Sequence, residues 1–257
     1  MHKSLLVVLL LVLSFNLRAQ TWEIGGFGGG SGYMGDLNQK NPLKVSGVAA
    51  GAFLRYNFNG YISLGASATY GTISAADSLS SNQQNRIRNL SFTTRLLEGS
   101  LTAEFNFMEY IPSVSKNVYT PYVLFGVAYT NYDPRANYQG QTYDLRYFQT
   151  EGVAYKDNTV AVPFGIGIKY NIAGRLTLAA NLSYRTAYTD YLDDVSSVYP
   201  NKNIFNDPMG AALSDRSATQ IGAPGTQRGD LRPHDTYFFT GLSISYTFIT
   251  QKCYYER

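Results

Sequence analysis

Few side chains in this sequence are equipped for acid–base, nucleophilic or metal chemistry, and spacing decides what each can do. Of the 2 histidines, one is His2 and the other is His234, directly before Asp235. Lipid hydrolysis at a membrane rim would need a histidine with a serine or an acid beside it. His234-Asp235 reads instead as a loop pair closing onto the strand that follows. Asp190, Asp193 and Asp194 offer carboxylate oxygens of the kind that hold calcium. Their spacing matches no EF-hand, and they read as a solvated acidic loop. The run Gly25-Gly26-Phe27-Gly28-Gly29-Gly30-Ser31-Gly32 superficially resembles a phosphate loop, but it lacks the Gly-Lys-Ser/Thr ending and precedes no helix. The single cysteine, Cys253, excludes a disulfide scaffold and a cysteine zinc cluster. The sequence therefore predicts no catalytic residue, no cofactor, no metal and no small-molecule substrate.

Six other charges are placed more tellingly. Glu23, Arg55, Glu98, Glu104, Lys169 and Arg185 all fall among Gly, Ala, Ser, Thr and Asn on the small-residue face of alternating segments. Three acids face three bases, and charges on a buried face persist only when paired. Arg55, Glu104 and Lys169 lie a few residues from the ends of their segments, and Glu23 lies near the start of its own. These four are expected to share one layer, and the six together to plug a lumen as ion pairs.

The elements that must position them are strands. Period-2 alternation marks eight: 21–33, 45–58, 60–72, 91–107, 119–132, 159–172, 175–188 and 235–249. Each is long enough for a tilted membrane strand, which takes about 9–11 residues. Asn59-Gly60 and Ala173-Gly174 are tight hairpin turns, and the 108–118 link is intermediate. The links 34–44, 73–89, 133–158 and 189–234 are longer and polar. Alternating short and long connections with an even strand count are the pattern of an outer-membrane barrel, with periplasmic turns, extracellular loops and both termini in the periplasm. Small polar residues suit the narrow interior of eight strands, and the large apolar set suits lipid. We therefore expect an all-β, eight-stranded antiparallel up-and-down transmembrane barrel over residues 20–257.

Composition agrees. Aromatics make up 14 % of the 257 residues, with 22 Tyr, while charged residues reach 15 % against the usual value of about 25 %. Tyrosine, with its apolar ring and polar tip, suits a membrane–water boundary. Tyr56, Phe58, Phe105, Phe107, Tyr122, Tyr170, Tyr246 and Phe248 are expected at the periplasmic rim. Tyr33, Tyr70, Tyr129, Tyr132, Tyr184 and Tyr188 are expected at the outer rim. Residues 1–19, with Lys3, a short leucine-rich run and Ala19, read as a secretory signal peptide. Removing Lys3 and Arg18 from the 21 basic residues leaves 19 against 18 acids, so nothing favours nucleic acid as a partner.

The stretch from Glu23 to Asn38 is more specific than its composition. Glu23-Ile24-Gly25, the glycine-rich strand and Tyr33-Met34-Gly35-Asp36 resemble the PorG family, barrels of the type IX secretion system. Pro121-Tyr122-Val123-Leu124-Phe125-Gly126-Val127 and Pro163-Phe164-Gly165-Ile166-Gly167 are similar to the family more loosely. The resemblance implies a non-enzymatic outer-membrane protein. Its partners would be outer-membrane lipids and a periplasmic ring of a lipoprotein and its partner (PorK- and PorN-like), which it anchors. Met108, Tyr110 and Ile111, in the least polar periplasmic link, are the first candidates for that contact. The alternative is that they pack beneath the barrel.

Overall fold

The computed structural model describes residues 21–249. The segment read as a signal peptide and Cys253 lie outside the described residues. Strands β1 (Thr21–Met34), β2 (Val45–Asn57), β3 (Ile62–Ala76), β4 (Ser91–Asn106) and β5 (Tyr119–Tyr138) follow one another. After the short β6 (Gln141–Asp144) come β7 (Asn158–Ala173), β8 (Leu176–Ala187) and β9 (Thr236–Phe248). Sequence neighbours pair antiparallel around the ring, β5 with β7 across the excursion that contains β6, and β1 pairs with β9 from Trp22–Phe248 to Met34–Thr236. The sheet closes, and the eight-stranded antiparallel barrel expected from the alternation is the fold. β6 pairs only with the end of β5.

The two tight turns differ in what glycine does for them. Gly174 has φ +53°, which demands glycine. In the other, Asn59 Oδ1 accepts from the backbone N–H of Tyr61 and Ile62, both at 2.8 Å. Gly60 is not left-handed there. A Cβ on it would stand 2.6 Å from Glu109 Cγ, so glycine admits the 107–118 link beneath the barrel.

Alternation sorts the side chains by face, since successive residues point to opposite sides. On β4, Leu97, Leu101 and Phe105 point outward and are exposed, while Glu98 and Glu104 point inward and are buried. Leu97 to Phe107 spans about 33 Å along the strand, or about 25 Å after the tilt of a barrel, matching an outward apolar band about 25 Å tall. Exposed Trp22, Phe58, Phe107, Tyr119, Tyr170 and Phe248 ring the turn end; Tyr70, Tyr129 and Tyr188 ring the loop end. This band is a lipid-facing surface.

Three tyrosines expected in those belts face inward instead. Tyr33, Tyr122 and Tyr132 are buried, because their parity puts them in phase with the lumen charges. Tyr184 does face outward, but the 35–44 link folds down over it. Its hydroxyl donates to the Pro42 carbonyl at 2.9 Å, and Phe238 beside it is buried.

The apolar core lies at the loop end. β3 and β5 run past the expected ends, to Ala76 and Tyr138. Beyond Tyr70 and Tyr129 their outward residues turn polar, while Ile73, Ala75 and Ala136 stay buried inside. The long links, expected to be polar, close over them with Leu37, Leu90, Leu145, Leu192, Val195 and Leu213. Three short helices, α1 (Gln83–Arg88), α2 (Leu145–Phe148) and α3 (Pro208–Ser214), belong to this cap.

Candidate functional site

The lumen holds all six expected charges, in two layers. Toward the turn end, Arg55 reaches Glu23 at 2.5 Å and Glu104 at 2.8 Å, and Lys169 Nζ reaches Glu104 at 2.7 Å and Asn106 Oδ1 at 3.1 Å. Ser245 adds a donor to Glu23. Toward the loop end, Arg185 pairs with Glu98 at 3.0 Å, and the Tyr237 hydroxyl donates to Glu98 at 2.7 Å. Each base also lies on an aromatic face: Arg55 on Phe53, Lys169 on Tyr122 and Arg185 on Phe239. A cation over a ring gains from the quadrupole, more so when desolvated. Tyr122, one of the two inward tyrosines of β5, is thus the platform under Lys169.

Between the layers lies a cavity of about 80 Å³, room for a few waters. Tyr110 and Ile111 lie beneath the lower layer, and the Tyr110 hydroxyl shares a 2.8 Å hydrogen bond with Thr177. Both are buried within the chain, so the expectation that they face a partner is corrected. They close the turn end of the lumen. Met108 is partly exposed, its N–H donating to Thr120 Oγ1 at 3.1 Å.

A second concentration of charge lies at the loop end. Asp190, Asp193 and Asp194, expected to be solvated, are all buried. The sequence could not show this, because the segments that cover them come from distant links. Asp194 accepts from Tyr155 at 2.5 Å and from Thr150, and it lies near Arg228. Asp193 and Asp235 flank the Tyr33 hydroxyl at 2.5 and 3.1 Å. The N–H groups of Val195 and Leu192 donate to Asp193 and Asp235 at 2.9 and 3.0 Å.

Asp36, Asp190 and Asp235 each place one carboxylate oxygen within 4.8 Å of the others. Burial first, then the charges of Asp230 and Asp190, push the Asp36 carboxyl up to about 8. Burial pushes Asp190 up to about 7, and holds Asp193 and Asp235 well above the carboxylate range.

The Tyr33-x-Gly35-Asp36 motif builds one wall of this cluster. Gly35 and Asn38 bridge backbone to backbone, and the Asn38 amide donates to the Tyr33 carbonyl at 2.6 Å. A Cβ on Gly35 would overlap the Tyr33 hydroxyl and the Asp235 carboxylate. Glu23, Ile24 and Gly25, the motif's other half, lie at the opposite end of β1. Ile24 faces outward, and a Cβ on Gly25 would stand 2.6 Å from the Ile244 carbonyl.

His234 is exposed and packs edge-on against Tyr188, while Asp235 turns inward. The two do not act as a dyad.

Sequence reasoning missed two cap arginines. Arg88 binds Asp77 at 2.7 and 2.8 Å and the Asp36 carbonyl at 3.3 Å. Arg228 binds Glu151 at 2.9 Å and the Asp194 carbonyl at 2.7 Å. Their partners lie in other links or many residues away, so no local spacing marks them.

A family model described as a domain of unknown function (DUF6089) matches residues 2–257. The chain belongs to the DUF6089 family. No curated protein matches it. Among solved structures, it is similar to the N-terminal β-barrel domain of Pseudomonas aeruginosa OprF, at 15 % identity and TM-score 0.39, covering 90 % of this chain and 100 % of that one. Neisserial surface protein A is 8 % identical with TM-score 0.42, covering 89 % and 97 %. Outer membrane protein W of E. coli is 15 % identical with TM-score 0.38, covering 88 % and 97 %. At such identities nothing about activity or partners transfers to this DUF6089 chain.

Proposed function

We propose that the chain is a non-enzymatic outer-membrane barrel, with its termini and short turns in the periplasm, that anchors the periplasmic ring of a type IX secretion system. The observation that carries the structural role is the sealed lumen. A lumen crossed by two ion-paired layers and closed below by Tyr110 offers no open path, which supports a role carried by the protein's surfaces. The secretion reading adds the resemblance of Glu23-Ile24-Gly25 and Tyr33-x-Gly35-Asp36 to PorG proteins.

Its test is crosslinking in intact membranes followed by capture of this chain. Ring lipoprotein and partner should come with it, and deletion of the chain should abolish secretion. Intact secretion in the deletion strain would sink the reading. A second reading, an envelope or adhesion barrel, is favoured by the folded loop-end cap, a built outward surface. Altered surface adhesion with normal secretion would select it.

A further inference from the structure

We propose that Asp36, Asp190 and Asp235, backed by Asp193 and Tyr33, form a calcium site that clasps the loop-end cap to the mouth of the barrel. Asp36 comes from the first long link, Asp190 from the last, and Asp235 from the entry to β9. One oxygen of each converges on one spot, all within 4.8 Å of one another.

The second observation is Asp36 itself. It is 1 % exposed. Its Oδ1 accepts from the Asp230 N–H, and its Oδ2 is buried without any donor. An acceptor left bare inside a folded protein is destabilising unless something meets it. No side-chain cation among the described residues takes that place. The guanidinium of Arg88 is engaged by Asp77 and by the backbone carbonyls of Asp36 and Arg228.

The donor set selects the ion. All ligands are hard oxygens, as calcium and magnesium require. Calcium accepts an irregular cage of protein carboxylates, whereas magnesium dehydrates reluctantly and keeps several of its waters. A buried, protein-lined trio of carboxylates from three segments suits calcium. The inference does not depend on the secretion reading.

The experiment uses the full chain folded in detergent micelles and stripped with EDTA. Terbium, a calcium substitute, is titrated with excitation through tyrosine, since the Tyr33 hydroxyl lies against two of the acids. We expect saturable sensitised emission that calcium chloride displaces. Asp36→Asn and Asp190→Asn should each weaken calcium binding on the order of 10–100-fold, while Asp133→Asn, outside the cluster, leaves it unchanged. In parallel, calcium should raise the thermal unfolding midpoint of the stripped wild-type chain, which keeps the test open if a variant misfolds. Three outcomes overturn the site: no displaceable emission and no midpoint shift at ~10 mM calcium, about ten times the weakest extracellular-module dissociation constant; variants that bind like wild type; or magnesium displacing terbium as well as calcium does.

Discussion

Lys169 Nζ lies 2.7 Å from Glu104 Oε2 across the lumen, and Glu104 carries Arg55 on its other oxygen at 2.8 Å. One carboxylate thus holds two bases from different strands. Lys169→Met leaves Glu104 its arginine alone and should destabilise the barrel by about 3–5 kcal/mol, as for a broken buried pair. Replacing Lys169 and Glu104 together with apolar residues should cost less than the single change, although Arg55 keeps Glu23. Urea unfolding of the refolded barrel measures both, and a costlier double variant would contradict the pairing.

Because the layers are independent seals, removing one should not open the lumen. Purified wild-type protein and an Arg185→Ala/Glu98→Ala variant should both show no stable step conductance in planar bilayers. Stable steps from the wild type would refute the sealed lumen.

Leu101 sits midway along the outward face of β4 and is exposed. Leu101→Arg should cost about 2–4 kcal/mol, the depth-dependent penalty for arginine near the bilayer midplane. Folding into phospholipid vesicles reads it. The same substitution at Arg95's outward neighbour Thr93, above the band, should be close to neutral.

Arg228 binds Glu151, whose carboxylate also accepts from the N–H groups of Ser196 and Ser197. Arg228→Ala strands a buried carboxylate. We expect the 189–235 link to become protease-sensitive while the barrel stays intact on a heat-shift gel. Cleavage of the barrel strands at equal rate would mean that cap and barrel unfold together.

In EDTA the cap should weaken as pH rises. The carboxyls of Asp36 and Asp190 are held up at about 8 and about 7, chiefly by burial. The folded state therefore binds protons the unfolded chain has released, and stability falls with pH wherever that holds. This contribution is complete below the ordinary carboxylate range, around pH 4, and is lost as pH climbs through 7 to 8. The groups facing one another there are Asp36, Asp190, Asp193, Asp235, Asp230 and Tyr33, with Arg88 the neighbouring cation. Hydrogen exchange of the cap amides at about pH 5 and about pH 9, corrected for intrinsic rates, checks the sign. Asp36→Asn should flatten the profile.

The sequence by itself determined the barrel and its lumen charges. Period-2 alternation is a local property, and a closed sheet turns it directly into inside and outside. Glu98, Glu104, Lys169 and Arg185 therefore fall on the lumen face by alternation alone. Only the tertiary structure decided the cap. Asp36 meets Asp190 and Asp235, and Arg228 meets Glu151, through chain separations that no spacing rule covers. Burial there is conferred by links that look polar one at a time and bury Leu37, Leu192 and Leu213 only together. Tyr33 shows both causes: its parity with Glu23 turns it inward, and only the folded links bring Asp193 and Asp235 onto its hydroxyl, because at a strand end the neighbouring loops decide what is solvent.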